Sequence, residues 1–246
     1  MTAAPPRVVS LVPSATEMLY ALGVEPVAIT RFCPADAIRG EAPAIVGGTK
    51  NPDLAAIAAL APDLVVVNDE ENRAKDAETL AAAGIALHSM SPRSVADVGP
   101  EVRDLAGRLG VAVPAPFGAD AWEDWLVSML SPRWWDAFVA VWRRPWMSLA
   151  TDTYGASLLD LIGVGNIFAD SLDRYPEVTL EEVAARAPNV VLLPNEPYEF
   201  GPRHADEVLA AVRGVPVRLV DGRDLFWWGT RTPDAATRLR AALATR

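Results

Sequence analysis

The stretch LAAIAALAPDLVVVNDE, residues 54–70, returns without a gap as LEEVAARAPNVVLLPNE, residues 180–196. The pairs Leu54/Leu180, Ala58/Ala184, Ala59/Ala185, Ala61/Ala187, Pro62/Pro188, Val65/Val191 and Glu70/Glu196 are identical. Each copy reads as an amphipathic helix ended at Ala-Pro, a short apolar strand, then an acidic loop. A second echo sets MLYALGV (18–24) against LLDLIGV (158–164), in both halves a helix closed by a left-handed glycine. A chain of 246 residues that repeats itself once is expected to form two lobes of similar build. A solenoid needs a longer series.

Strands and helices alternate within each half. In the first, RVVSLV, PVAIT (26–30), DLVVV (63–67) and IALHSM (85–90) read as strands. Ser14 to Glu17 has the pattern of a capping box, and 71–84 of a helix closed by Gly84. In the second half AFVAVW (137–142), NVVLL (189–193) and VPVRLV (215–220) read as strands. Strands this apolar, separated by helices, imply parallel sheets covered on both faces. The fold class expected is therefore α/β, with two Rossmann-like lobes. The expected domains are an N-terminal lobe over 1–93, a helical linker with a bridging helix over 94–135, and a C-terminal lobe over 136–246. Of the two helical patterns in the linker, 94–110 and 118–131, the second is the expected bridge.

Composition excludes several roles. The net charge of −10, with no Lys/Arg run denser than Arg143-Arg144, argues against nucleic acid. The single cysteine, Cys33, leaves no internal disulfide. No apolar run reaches the roughly 18 residues of a membrane span, so an integral membrane protein is not expected. MTAAPPRVVS lacks a basic region before an apolar stretch, and Pro13 and Glu17 interrupt the apolar residues beyond it. A cytoplasmic location is expected from this start, and an exported one if the sequence extends upstream. There is no G-x-S-x-G, no phosphate-binding glycine loop and no local Ser–His–Asp set, so binding is expected over catalysis.

Ligands of open parallel sheets lie beyond the carboxyl ends of the strands. Those ends carry Pro13, Ser14 and Thr16, then Arg31 and Phe32, then Asn68 and Glu70 in the first half. In the second they carry Trp146, Tyr154, Glu196 and Tyr198, and the loop DLFWWGTRT with Phe226, Trp227, Trp228 and Arg231. Lys50, in the turn GGTKNPD, joins this set as a possible ligand contact. Aromatic and amide side chains with a few charges suit a bulky, flat, partly polar ligand. Three neighbouring rings at 226–228 pose a packing problem if the segment is a strand, since successive side chains face opposite ways. Either two layers take one ring each, or some face a ligand.

RVVSLVPSATEMLYALG followed by VGGTKNPDLAAIAALAPDLVVVN (46–68) resembles the vitamin B12-binding (BtuF-like), helical-backbone class of ABC-importer substrate-binding proteins. That class of helical-backbone metal receptors also includes siderophore and heme binders. GVGNIFAD (163–170) continues the resemblance into the second half. It implies two lobes joined by one helix, holding a corrinoid, heme or other metal chelate as ligand, with no cofactor required. It also implies an ABC permease as partner, docked through surface carboxylates. At the first docking position this chain has Ala74, with Glu71 and Asp76 nearby. Where the class offers a tryptophan after the third strand, this chain has Asn68; the aromatic pair of the late loop is matched by Phe226, Trp227 and Trp228.

Several residues stay open between a structural and a functional role. Cys33 is either an inert thiol, buried or partly exposed, or a thiolate ligand to iron or cobalt, and the run Asp69-Glu70-Glu71 either chelates a hard cation or places negative charge at a helix N-terminus. His88 is expected inside a strand, and His204 on the surface or as a helix cap. Trp122 and Trp125 share one helical face and are expected to pack there. The expected function is non-catalytic capture of a corrinoid, tetrapyrrole or other metal chelate between the lobes. The alternative is a cytoplasmic enzyme or sensor of the same fold, acting on a chelate or cofactor precursor.

Overall fold

A computed structural model describes residues 6–34 and 40–244. The first five residues, on which part of the N-terminal reading rests, lie outside it.

The chain opens with β1 (Val8–Ser10), α1 (Pro13–Ala21), β2 (Ala28–Ile29) and β3 (Ala44–Ile45). A small antiparallel hairpin, β4 (Gly47–Gly48) with β5 (Asn51–Pro52), leads to α2 (Leu54–Ala59), β6 (Leu64–Val67), α3 (Ala74–Ala82) and β7 (Leu87–Ser89). The five longer-range strands pair parallel in the order β3-β2-β1-β6-β7. Val9, Leu11, Ile57, Val65 and Leu80 fill the core beside this sheet. All four residues of β6 are buried, which is why it reads as an unbroken apolar run rather than an alternation.

Two helices come next, α4 (Val95–Leu109) and α5 (Ala119–Met129). They lead to β8 (Trp135–Val139), β9 (Trp146–Met147), α6 (Tyr154–Leu161), β10 (Val164–Asn166), β11 (Glu177–Val178) and α7 (Leu180–Ala185). The chain ends with β12 (Val190–Pro194), α8 (Pro202–Ala211), β13 (Val217–Val220), α9 (Gly222–Phe226) and α10 (Thr232–Ala244). A second parallel sheet runs β10-β8-β12-β13, and β9 pairs antiparallel with β11 at its side. Its core gathers Phe138, Phe168, Val183, Val191, Leu193 and Val208.

The described chain forms two compact units. The first holds the chain up to Pro92, Gly99–Ala119 and Trp228–Thr230; the second holds Arg93–Val98, Asp120–Trp227 and Arg231 onward. The division falls inside α4, which contributes residues to both. The segment expected as the bridge forms α5, which from Asp120 lies in the second unit. There Trp122 is buried and stacks on Trp125, with ring centroids 4.6 Å apart.

The internal echo is a structural one. In each unit the first strand (β1 or β8) sits between the strand after its helix (β2 or β10) and the strand of the repeated segment (β6 or β12). Gly23 and Gly163 close α1 and α6 with φ of 76° and 84°, the left-handed turn expected from sequence. One local expectation is corrected. Ser14 to Glu17 is not a capping box: α1 begins two residues earlier than a Ser14 cap would place it, at Pro13, and its N-cap is Val12, which has no side-chain acceptor to offer. Residues 224–232, read from sequence as a loop, comprise the end of α9, an extended Trp227, a turn, and the start of α10. The problem of three rings on one strand therefore does not arise.

Candidate functional site

In the first unit the candidate residues gather at the carboxyl ends of β1, β2 and β6. Pro13 and Ser14 open α1 directly after β1, and both are buried. Thr16 is spent inside the unit: its hydroxyl lies 2.9 Å from the Val12 carbonyl, 2.8 Å from Ser10 Oγ and 3.0 Å from Cys33 Sγ. Cys33 is buried in this hydroxyl nest, with Thr30 Oγ1 at 3.3 Å. Burial pushes its thiol up, more than the Thr16 and Thr30 hydrogen bonds pull it down. A protonated thiol among hydroxyls is a poor metal ligand, so the inert reading fits this geometry.

Asn68 organises the loop after β6. Its Nδ2 donates to the Met90 carbonyl at 2.7 Å, and its Oδ1 accepts from the backbone N–H groups of Glu70 and Glu71 at 2.8 and 3.1 Å. Asn72 ties the same loop to its neighbours, donating to the carbonyls of Leu11 and Thr49. Lys50, in the β4–β5 hairpin, donates to the Glu70 carbonyl, so hairpin and loop are clasped. Arg31 and Phe32 face solvent on this rim, as do Lys50, Asp69 and Glu70. The Phe32 ring is 56% exposed, with the Arg31 guanidinium 5.0 Å from its centroid.

The second unit presents a larger aromatic group beyond β8 and β12. Trp146 stacks on Phe200 with centroids 5.7 Å apart and planes within 9°. Tyr198 lies 4.7 Å from Phe200 and 5.4 Å from Trp142, whose indole is 43% exposed. Arg143 places its guanidinium 5.9 Å from the Trp146 ring and bonds Glu207 at 2.9 Å. His204, buried, accepts the Gly201 N–H on Nδ1 at 3.0 Å and meets Tyr198 and Phe200 edge-on. Burial and the nearby Arg203 and Arg143 push its imidazole down, so it is neutral near pH 7. Trp146 and Tyr198 were legible in the sequence as loop aromatics. Trp142, Arg143 and Phe200 were missed because each read as the end of a strand or as filler, although the run W-R-R-P-W does cluster rings and charge.

The late loop builds a third feature within the same unit. Gly222 is required because a Cβ there would fall 2.6 Å from the Glu196 backbone N and O. Its N–H bonds Asn195 Oδ1 at 2.6 Å, and Arg223 Nε bonds Glu196 at 3.3 Å. Trp227, half-buried, has the guanidiniums of Arg223 and Arg231 at 4.8 and 5.6 Å from its ring. Asp224 is buried and accepts from Arg231 at 2.8 Å and from Arg238 at 2.7 and 2.6 Å. Tyr154 is also buried, its hydroxyl 2.9 Å from Thr232 Oγ1, and burial pushes its phenol up. Phe226 is half-buried. The division between units passes between Trp227 and Trp228: the first indole is counted with the second unit, the other with the first. Trp228 is only 6% exposed, and the adjoining Gly229 lies against Met18 of α1.

Two units of parallel sheet and helix, with α4 contributing residues to both, match solved periplasmic binding proteins in fold. Residues 8–115 match the model of the family described as periplasmic binding protein. The chain is 27% identical over 208 residues to the vitamin B12-binding protein of Pectobacterium carotovorum, covering 79% of this chain and 73% of that one. Its fold matches the periplasmic vitamin B12 binding protein BtuF of Vibrio cholerae with a TM-score of 0.77 at 23% identity, over 97% of this chain and 96% of that one. It also matches the periplasmic heme-binding protein RhuT of Roseiflexus sp. RS-1, with a TM-score of 0.76 at 21% identity over 97% and 98%. The chain thus resembles the BtuF-like class, heme binders included, in both sequence and fold. Among the described residues no helix is long and apolar enough to cross a membrane.

Proposed function

We propose that this chain is a non-catalytic binding protein for a flat metal chelate of the corrinoid or heme type. The observation that carries the reading is where the rings lie. Phe32 in one unit, and Trp142, Trp146, Tyr198 and Trp227 in the other, all come after the carboxyl ends of parallel strands. That edge is where α/β sheets take ligands, and aromatic faces are what a macrocycle stacks on. Binding proteins for vitamin B12 and heme among its relatives support the same reading. On this reading Trp142 and Phe32 supply exposed stacking surface, and Arg31, Lys50, Glu70, Glu196 and Arg231 provide polar contacts at the rim. The receiver of the ligand is an ABC permease. The solved neighbours are periplasmic proteins, which favours an exported chain over the cytoplasmic expectation.

Titration with cyanocobalamin and with hemin, monitored by tryptophan fluorescence and melting temperature, tests the proposal. A ligand at 100 times its Kd stabilises the native state by about 2.7 kcal/mol. Trp142→Ala should weaken the bound chelate at least tenfold while leaving the unliganded melting temperature near wild type. If neither chelate quenches fluorescence or raises the melting temperature, the chain is not a corrinoid or heme binder.

A further inference from the structure

The start of α1 is an imbalance of hydrogen bonds that the chain does not resolve itself. Its N-cap, Val12, provides no side-chain acceptor, and Pro13 at the first position has no N–H. The N–H groups of Ser14 and Ala15 belong to the first turn and have no intrahelical acceptor. The Ser14 hydroxyl is buried, the residue 3% exposed, and has no partner among the described residues. Buried hydroxyls are nearly always paired, so an orphan of this kind is a specific gap. Side chains of a helix lean toward its N-terminus, which aims Ser14 Oγ at the same place as the free amides. The carbonyl of the N-cap residue is already in use. Val12 O takes the Thr16 N–H at 2.9 Å, the Thr16 hydroxyl at 2.9 Å and the Ser10 hydroxyl at 3.1 Å.

What is missing is an acceptor, and the helix dipole favours one with negative charge. On the same strand-end rim, just past β2, which pairs with β1, Arg31 carries a guanidinium that has no carboxylate partner among the described residues. We propose that the N-terminus of α1 is an anion subsite, taking a carboxylate or phosphate-ester oxygen on Ser14 Oγ and the amides of Ser14 and Ala15. The proposal rests on the ligand-binding reading above and adds to it that the chelate carries an anionic side group, held by the first unit.

Two measurements separate this inference from that reading. The first is amide NMR of the full chain titrated with inorganic phosphate and with acetate. The Ser14 and Ala15 resonances should move in the wild type, and at least tenfold less at equal anion concentration in Ser14→Ala. The second compares hemin with its dimethyl ester, which keeps the macrocycle and removes both carboxylates. The ester should bind at least tenfold more weakly to the wild type, and Ser14→Ala should remove most of that difference. Equal affinity for acid and ester, with immobile amides, overturns the subsite and leaves chelate binding intact. Moving amides with no binding of either macrocycle keeps the subsite and overturns the chelate. Which anion moves the amides more distinguishes a carboxylate from a phosphate ester as the natural group.

Discussion

The two units share a backbone plan and differ at their loop-bearing edges. Strand order β2-β1-β6-β7 in one corresponds to β10-β8-β12-β13 in the other, and both repeated helices, α2 and α7, are capped by a side chain on the residue before them, Asp53 or Thr179. Beyond the strands the likeness stops. Among the described residues the first unit leaves α1 without a side-chain cap and shows one exposed ring, Phe32; the second caps α6 with Thr153, groups its aromatics and buries an aspartate under two arginines. Burial of apolar strands constrains sequence everywhere along them, whereas a loop is free to change as long as its backbone groups find partners. The edges are therefore where the two halves differ in the chemistry they present.

The largest expected effect lies in the second unit's own device. Burial pushes the Asp224 carboxyl up, but hydrogen bonds from Arg238 and Arg231 more than offset this and hold it below the usual range. Asp224→Ala would remove the carboxylate that Arg231 and Arg238 share and should cost about 1.5–3 kcal/mol, read by urea unfolding. Because the folded pKa is depressed, this stabilisation is complete above the unfolded aspartate value of about 3.9 and is lost as pH falls through the folded value. The difference between the wild type and Asp224→Ala should therefore begin to shrink as pH falls below about 4 and go on shrinking through the lower folded value. A constant difference from pH 7 to pH 3 would show that packing, not charge, holds this loop.

The helix starts offer a sharper contrast at smaller magnitude. Thr153 Oγ1 accepts the Ala156 N–H at 3.4 Å and donates to the Ala150 carbonyl at 2.7 Å, so Thr153→Ala should cost about 1 kcal/mol. Ser14→Ala removes a hydroxyl with no partner and should be neutral, or stabilise by up to about 1 kcal/mol, in the absence of ligand. Opposite signs at two related helices would mark one as built for stability and the other for binding. Equal losses at both would mean that Ser14 has a partner in solution, and the contrast would fail.

How far the sequence could be read depends on these same residues. The parallel sheets were legible because β6 and β12 are short, fully apolar and preceded by capped helices, a pattern that survives without tertiary information. The helix closures at Gly23 and Gly163 were legible because only a left-handed turn explains glycine at that place. The late loop was not. Whether 224–228 forms a strand or ends a helix depends on Arg231 and Arg238 reaching back to Asp224, contacts 7 and 14 residues away in sequence that no local pattern announces. Asn68 read as a ligand contact because amides line ligand sites, but an amide serves equally well to pin a loop, and its three hydrogen bonds do that. The orphan hydroxyl of Ser14 needed coordinates too, since Ser14-Ala-Thr-Glu17 satisfies the capping-box pattern as letters.

The smallest effect bears most directly on the duplication itself. Ala61 and Ala187, identical in the two copies, end α2 and α7 with φ of 44° and 49°. Both are exposed, and both precede a proline, which disfavours helical backbone at the residue before it. A left-handed alanine costs about 1–2 kcal/mol relative to the right-handed form. Glycine would remove that strain but lose about 0.4–1 kcal/mol through the greater freedom of its unfolded chain. Ala61→Gly and Ala187→Gly should therefore each stabilise by about 0.5–1 kcal/mol, by the same amount, and additively in the double variant, since each turn lies in its own unit. Unequal effects would mean that the copies, although alike in backbone, have drifted in what surrounds the turn. A loss at both would mean that the left-handed alanines are held by neighbours rather than strained against them.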